Sequence, residues 1–473
     1  MDTEQVRINK TWIYLLKDMK RAIIKILILI PGFVLLSATC KNQKNYSKIN
    51  FDASSSKLSD DSLLTLTEYR TFQYFWDGAE PSSGMARERF HADGVYPEND
   101  MNVVTTGGTG FGLMAILVGM ERGFITREEG FGRLKHIVEF LNTADRFHGA
   151  WPHWLYGETG HVKPFSPKDN GADIVETAYL IQGLLTVREF FNKGTKQERN
   201  LAMEIDRLWR EVEWDWFTQG QHVIYWHWSP NYGWAMNFPI EGYNECLITY
   251  VLAASSPTHA VEPAAYHEGW ARKGSIVSSN KMYGHPLILK YNYAEEYGGP
   301  LFWAHYSYLG LDPRKISDRY ADYWELNRNL ALINWQWCKE NPMHYTGYSD
   351  SCWGLTAGYS PIGYAAHAPG EKNDLGVITP CAALSSFPYT PSESMNALKY
   401  FYFQQGDRIF GKYGFYDGFS IEKNWYPQRY LAIDQGPIVV MIENYRSALL
   451  WDLFMSAQEI RNGLERLGFR VKD

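Results

Sequence analysis

Three short acidic stretches carry the residue types that acid–base chemistry needs. The first runs Asp169-Asn-Gly-Ala-Asp173-Ile-Val-Glu176. Asp173 and Glu176 stand three apart, the spacing of neighbours on one helix face. Gly171 favours a loop at Asp169 over a backward extension of that helix. The residues that follow are apolar (Ala178, Leu180, Ile181, Leu184), so the carboxylates sit at the mouth of a buried helix. They serve catalysis or substrate binding there, or they only cap the helix and complement its dipole. The second stretch is Glu241-Gly-Tyr-Asn-Glu245, one turn apart at the predicted start of an apolar helix over 240–254. An aromatic approach, Tyr225-Trp226-His227-Trp228 to Trp234, precedes it. A glutamate among rings has its pKa raised by desolvation, as a general acid requires. In the third, Leu431-Ala-Ile-Asp434-Gln-Gly-Pro437, Asp434 is either a helix N-cap or a buried functional carboxylate.

Other motifs point away from familiar chemistries. Thr106-Gly-Gly-Thr-Gly-Phe-Gly112 has the glycines of a phosphate loop but neither its Gly-Lys-Ser/Thr ending nor a preceding strand, so close helix packing is the better reading. His-Glu-x-x-His and Gly-x-Ser-x-Gly are absent, and Ser360 in Gly-Tyr-Ser-Pro-Ile lacks the second glycine. The cysteine spacings match no zinc pattern, and neither metal nor cofactor is expected. Cys246, Cys338, Cys352 and Cys381 could form two disulfides in an oxidising compartment, with connectivity open.

The elements that must position these residues read as helices. Ser59 can cap a helix bearing Leu63, Leu66, Tyr69, Phe72 and Trp76, and Thr126 with Glu129 forms a capping box. Helical runs recur near 108–122, 173–193, 196–212, 240–254, 300–309, 316–339, 392–406 and 437–453. Long connections lie between, notably 77–105, 146–171, 216–239, 341–391 and 407–436, and loops of that length are usually functional. No strand–helix alternation of the parallel-sheet kind appears. The expectation is an all-α toroid of paired helices in one domain, 59–473, with short strands possible in the connections.

Composition agrees. The chain has 473 residues, 45% hydrophobic and 16% aromatic, which excludes disorder and collagen-like or small disulfide scaffolds. A net charge of −7 argues against nucleic acid as a partner. Trp and Tyr rings in surplus suit the C–H faces of sugars, although most single rings in any fold belong to the core. At the N-terminus, Lys20, Arg21 and Lys25 precede the apolar run Ile26–Leu36 and Ser37-Ala-Thr-Cys40, the pattern of a secretion signal over 1–39. A cysteine at the cut resembles a bacterial lipoprotein signal, with Cys40 as the lipidated residue. Residues 40–58 then form a polar tether, a reach of roughly 20–25 Å for a flexible chain of this length. The body is expected outside the cytoplasm, in the periplasm or at the cell surface, held to a membrane through lipid alone, and monomeric.

Several stretches together resemble the bacterial glycoamylase-like domain family, including the endo-β-1,2-glucanases of glycoside hydrolase family 144. They are Ser83-Gly-Met-Ala-Arg-Glu-Arg89, Thr106–Gly112, Asp169–Glu176, Trp234–Glu245, Gly299-Pro-Leu-Phe-Trp-Ala-His305 and Ala432–Pro437. The resemblance implies an (α/α)6 barrel and hydrolysis of β-1,2-linked glucan, internally and with inversion. By position it implies Glu245 as general acid and Asp434 as base. Asp169, Asp173 and Glu176 become the acidic cluster of the cleft, with Glu241, Trp234 and Arg89 also on the substrate. Inversion needs a protonated carboxyl at the leaving oxygen and a carboxylate to activate water, roughly 6.5–9.5 Å apart. Two alternatives stay open at this level: a hydrolase of the same fold acting on an α-glucan or β-1,3-glucan, and a non-catalytic glycan-binding lipoprotein.

Overall fold

The computed structural model describes residues 58–291 and 296–472, with backbone alone at 97–99. The predicted signal, Cys40 and all of the tether except Leu58 lie outside the described residues. The helices are α1 (Asp60–Trp76), α2 (Thr106–Glu121), α3 (Arg127–Leu141), α4 (Ile174–Phe191), α5 (Lys196–Arg210), α6 (Leu247–Ser255), α7 (Tyr323–Glu340), α8 (Pro380–Leu384), α9 (Pro391–Ile409), α10 (Ala432–Ser447), α11 (Leu449–Ser456) and α12 (Gln458–Arg466).

Local chemistry starts several of them where the sequence signals it. Ser59 Oγ accepts the Ser62 N–H at 3.2 Å, and Asp60 and Asp61 meet the positive end of α1. At α3 the Glu129 N–H donates to Thr126 Oγ1 (3.2 Å) while the Thr126 N–H donates to the Glu129 carboxylate (2.8 Å). Thr195 and Glu198 build a second capping box at α5.

Alternate elements close into a ring. α2 packs on α4, α4 on α6, α6 on the 3-10 turn Tyr306–Tyr308, α8 on α10, and α10 on α2. The remaining gap is bridged by His305, whose Nε2 lies 3.0 Å from Ser386 Oγ just past α8. The inner ring is therefore α2, α4, α6, the segment 301–308, α8 and α10. The intervening α1, α3, α5, a π-helical turn at Ala265–Trp270, α7 and α9 form the outer layer of an (α/α)6 barrel. The division follows from patterning. α4 is buried nearly all round, whereas α5 buries one stripe, Leu201, Ile205, Leu208 and Trp209. Glycine lets the inner helices touch: a Cβ on Gly110 would stand 2.1 Å from the Tyr179 carbonyl oxygen, and one on Gly183 2.2 Å from that of Gly110. At the C-terminus α12 packs on α6, and 470–471 pair antiparallel with 316–317.

Several boundaries differ from the sequence reading. The run over 240–254 becomes helical only at Leu247, so Glu241 and Glu245 lie in the loop before α6 rather than on its first turn. Gly242, at φ 76°, breaks the helix there. The run over 300–309 is two 3-10 turns, and α7 begins at Tyr323 where Asp322 caps it. Residues 437–453 belong to two helices separated by Ala448 at φ 62°. The four body cysteines are buried and free, so the two disulfides allowed by their number do not form. Among the described residues no helix is long and apolar enough to cross a membrane.

Candidate active site

Short antiparallel ladders in the long connections carry the acidic residues to one end of the ring. Residues 172–173 pair with 227–228, placing Asp173 opposite His227. Asp173 then caps α4: its Oδ1 accepts the Val175 and Glu176 N–H groups (3.0 and 2.9 Å) and the Trp226 indole N–H (2.9 Å). Asp173 and Glu176 thus do not share a helix face, because Asp173 stands outside the helix and its capping bonds bring the two together. His153 lies between them, with Nδ1 3.0 Å from Asp173 Oδ2 and Nε2 3.8 Å from Glu176 Oε1. Asp169 stays in its loop, 3.5 Å from His227 Nδ1 and 3.9 Å from His153 Nδ1. The second oxygen of Glu176 accepts the Gly107 N–H at 2.8 Å, and a Cβ on Gly107 would sit 2.5 Å from it. The glycine-rich stretch therefore serves close packing and presents a backbone donor to a carboxylate.

The electrostatics follow from this packing. Burial disfavours charge on His153, but Glu176, Asp173 and Asp169 outweigh it and lift the imidazole to about 9. Burial also opposes Asp173 ionisation, yet the hydrogen bond from His153 and the charges of His227 and His153 hold it below its ordinary value. Glu176 rises to about 7, chiefly through burial, with His153 pulling down and Asp173 pushing up. The donor atoms of His153, Asp169 and Asp173 lie within 4.8 Å of one another, close enough in principle for a cation. An imidazole raised to about 9 is a cation at neutral pH and offsets one of these charges, so the donor set fits an ion-pair cluster better than a metal site.

Glu245 lines a cleft of about 650 Å³ with Trp226, Phe238, Glu241, Phe302 and Trp303. Burial raises its carboxyl to about 7, and the Glu176 and Asp173 charges add to the rise. Its backbone carbonyl is held by Ser307 Oγ (2.5 Å) and by the Tyr179 hydroxyl (3.3 Å), which fixes the loop against the inner ring. The Trp303 indole N–H has no protein acceptor. Glu241 lies 3.7 Å from Arg272 Nε. A larger hollow of about 950 Å³ lies between α1, α9 and α10, but its Lys399 and Arg446 are paired with Asp60 and Asp61, each at 2.7 Å.

Asp434 lies in the first turn of α10, three residues past its N-cap Leu431, and is 1% exposed. The Cys381 thiol donates to its Oδ1 at 2.9 Å. Residues 89–91 pair with 429–431 and the Ala432 N–H donates to the Glu88 carbonyl (3.0 Å), which sets the start of the helix. Against Asp434 stands the buried Asp417. Burial and the Asp417 charge push the Asp434 carboxyl well above its ordinary range.

Of the residues predicted from sequence, Asp169, Asp173, Glu176, Glu241 and Glu245 gather at this end of the ring. Arg89 pairs with Glu88 and lies 5.6 Å above the Trp154 ring. Trp234 does not line the Glu245 cleft. It stands in a neighbouring hollow with Trp216 and His259. His153, His227, Glu88 and Asp417 were missed. His227 was legible only as one of an aromatic run, and a lone Asp in Phe-Tyr-Asp-Gly carries no spacing signal at all.

An (α/α)6 barrel with buried carboxylates and aromatic rings at one end of its inner ring defines a carbohydrate-active hydrolase. Comparison with known proteins narrows the class. The Glycoamylase family model matches residues 237–458. An endo-β-1,2-glucanase from Chitinophaga pinensis, solved with sophorotriose and glucose, is 66% identical, with a TM-score of 0.87 over 88% of this chain and 99% of that one. A β-1,2-glucanase structure from Parabacteroides distasonis is 42% identical, with a TM-score of 0.82 over 87% of this chain and 60% of that one. The exo-β-1,2-glucooligosaccharide sophorohydrolase (non-reducing end) of the same organism is 44% identical over 90% of this chain, which spans 60% of that protein's length. The chain belongs to the bacterial glycoamylase-like domain family, glycoside hydrolase family 144, and is a glycoside hydrolase.

Proposed function

We propose that the protein hydrolyses β-1,2-glucan internally, with inversion at the anomeric carbon. The observation that carries this reading is Glu245, a carboxyl raised to about 7 inside an aromatic cleft. At neutral pH a large share of it is protonated, as a group that donates to a leaving glycosidic oxygen must be. Asp434 takes a proton from the attacking water on the opposite side. Phe302, Trp303 and Phe238 offer ring faces to the sugars. A Cβ on Gly299 would lie 2.2 Å from the Trp303 ring, so glycine lets this ring lie flat on the cleft wall. Asp169, Asp173 and Glu176 shape the acidic wall with His153, and Glu241 and Arg89 take part in holding substrate. Internal cleavage is supported by the 66% identical relative, an endo-β-1,2-glucanase matched along 99% of its length. The signal pattern over 1–39 and Cys40 support export and lipid anchoring.

The test incubates the protein with linear β-1,2-glucan, starch and β-1,3-glucan in parallel. Products are chromatographed over time, and proton NMR follows the anomer released first. Short β-1,2-oligosaccharides of mixed length with an initially α anomer are expected. A disaccharide ladder from the first minutes replaces internal by terminal cleavage. Products from starch alone overturn the substrate assignment.

A further inference from the structure

The general-base side of the site holds a carboxyl that the sequence reading does not use. Asp417 is 2% exposed and lies in the connection between α9 and α10. Two hydrogen bonds, one between backbones and one from the Gln435 side chain, bring it to Asp434. The Asp417 N–H donates to the Arg429 carbonyl at 2.9 Å, on the strand that leads into α10. From α10 itself, the Gln435 amide donates to the Phe415 carbonyl at 3.0 Å. Asp417 Oδ2 accepts the Tyr359 N–H at 2.5 Å, and a Cβ on Gly358 would stand 2.9 Å from that oxygen. Asp434 Oδ1 accepts from Cys381. The other oxygen of each carboxyl, Asp417 Oδ1 and Asp434 Oδ2, is buried without a donor. Two facing carboxyls with no donor between them are satisfied only if a proton lies between them.

We propose that Asp417 is a positioning residue for hydrolysis: it and Asp434 hold one proton in common, which locks the Asp434 carboxyl and leaves the pair one negative charge for accepting a proton from water. The inference rests on Asp434 as the base. The step balances. The water oxygen bonds to the anomeric carbon as the glycosidic C–O bond breaks. The leaving oxygen takes the Glu245 proton, and the water proton enters the pair, which becomes neutral. Exchange with solvent restores both groups. The other titratable groups facing Asp434 are Cys381 from α8, Tyr306 from the 301–308 segment and Tyr364 from the hairpin 357–366. All three are neutral at working pH, so among the described residues Asp417 is the one carboxyl facing Asp434 with which a proton can be shared.

The test measures kcat, KM and the pH dependence of unfolding for wild type, Asp417→Asn and Asp434→Asn. A shared proton is taken up on folding, so wild-type stability falls as pH rises through the raised folded value. Each asparagine variant removes the sharing and flattens that slope. Asp417→Asn is expected to lower kcat ten-fold or more with KM within three-fold. A kcat within three-fold of wild type, or a wild-type unfolding slope in Asp417→Asn, overturns the proposal. If Asp417→Asn does not fold, the slope of Asp434→Asn decides the same way. Full activity in Asp434→Asn instead removes Asp434 as the base and leaves the slopes to report on the proton pair separately.

Discussion

Replacing Glu245 by glutamine removes a proton donor and, by the same physics, a strained ionisation. The carboxyl titrates at about 7 in the fold against an ordinary 4.5. The native state therefore binds a proton that the unfolded chain releases, and stability contributed by this group is complete below the unfolded value and lost as pH rises through the folded one. A shift of that size corresponds to about 3 kcal/mol. Glutamine does not titrate, so Glu245→Gln should equal wild type in stability near about pH 4 and exceed it by up to about 3 kcal/mol above about pH 8. Scaled to a body of this length, that is a melting shift on the order of 3–5 °C. Turnover should fall by about 10²–10⁴, the usual contribution of a general acid. The assay pairs thermal melts across pH with product release from β-1,2-glucan. A stability gain that does not grow with pH, or turnover within three-fold of wild type, would refute the reasoning.

Other expectations follow from the same geometry. Glu176→Gln deletes a charge that raises Glu245, so the alkaline limb of the rate profile should move to lower pH. His153→Gln removes the cation that lies between Asp173 and Glu176 and should destabilise the fold by about 3–5 kcal/mol. Because His153 is lifted from 6.5 to about 9, that deficit should be full below the lower value and shrink as pH passes the upper one, as chemical unfolding at several pH values can show. Gly110→Ala forces a methyl to within 2.1 Å of the Tyr179 carbonyl, and denaturant titration should show a loss of about 3 kcal/mol or more. With its four body thiols free and buried, the protein should melt at the same temperature with and without reductant, and these thiols should label only on unfolding.

Much of this protein was determined by its sequence alone. Capping at Ser59 and Thr126, the apolar periodicity between, and the absence of strand–helix alternation lead to an all-α ring without further information. Asp169, Asp173, Glu176, Glu245 and Asp434 stand out because each sits beside an apolar helical run, where a charge needs a reason. Helix propensity did not locate Glu245 correctly: Gly242 at positive φ delays α6 to Leu247, and the loop rather than a helical turn delivers the carboxyl to the cleft. What only the tertiary structure decided are the partners. His153 lies between Asp173 and Glu176, and Asp417 meets Asp434, because ladders joining distant loops set those distances. Trp234 was drawn into a different hollow by the same long connection. A pKa depends on burial and on charges a few ångströms away, and neither is a property of spacing along the chain. Residue types and local pattern therefore named the acids, while the fold chose which carboxyl holds a proton and which carries the charge.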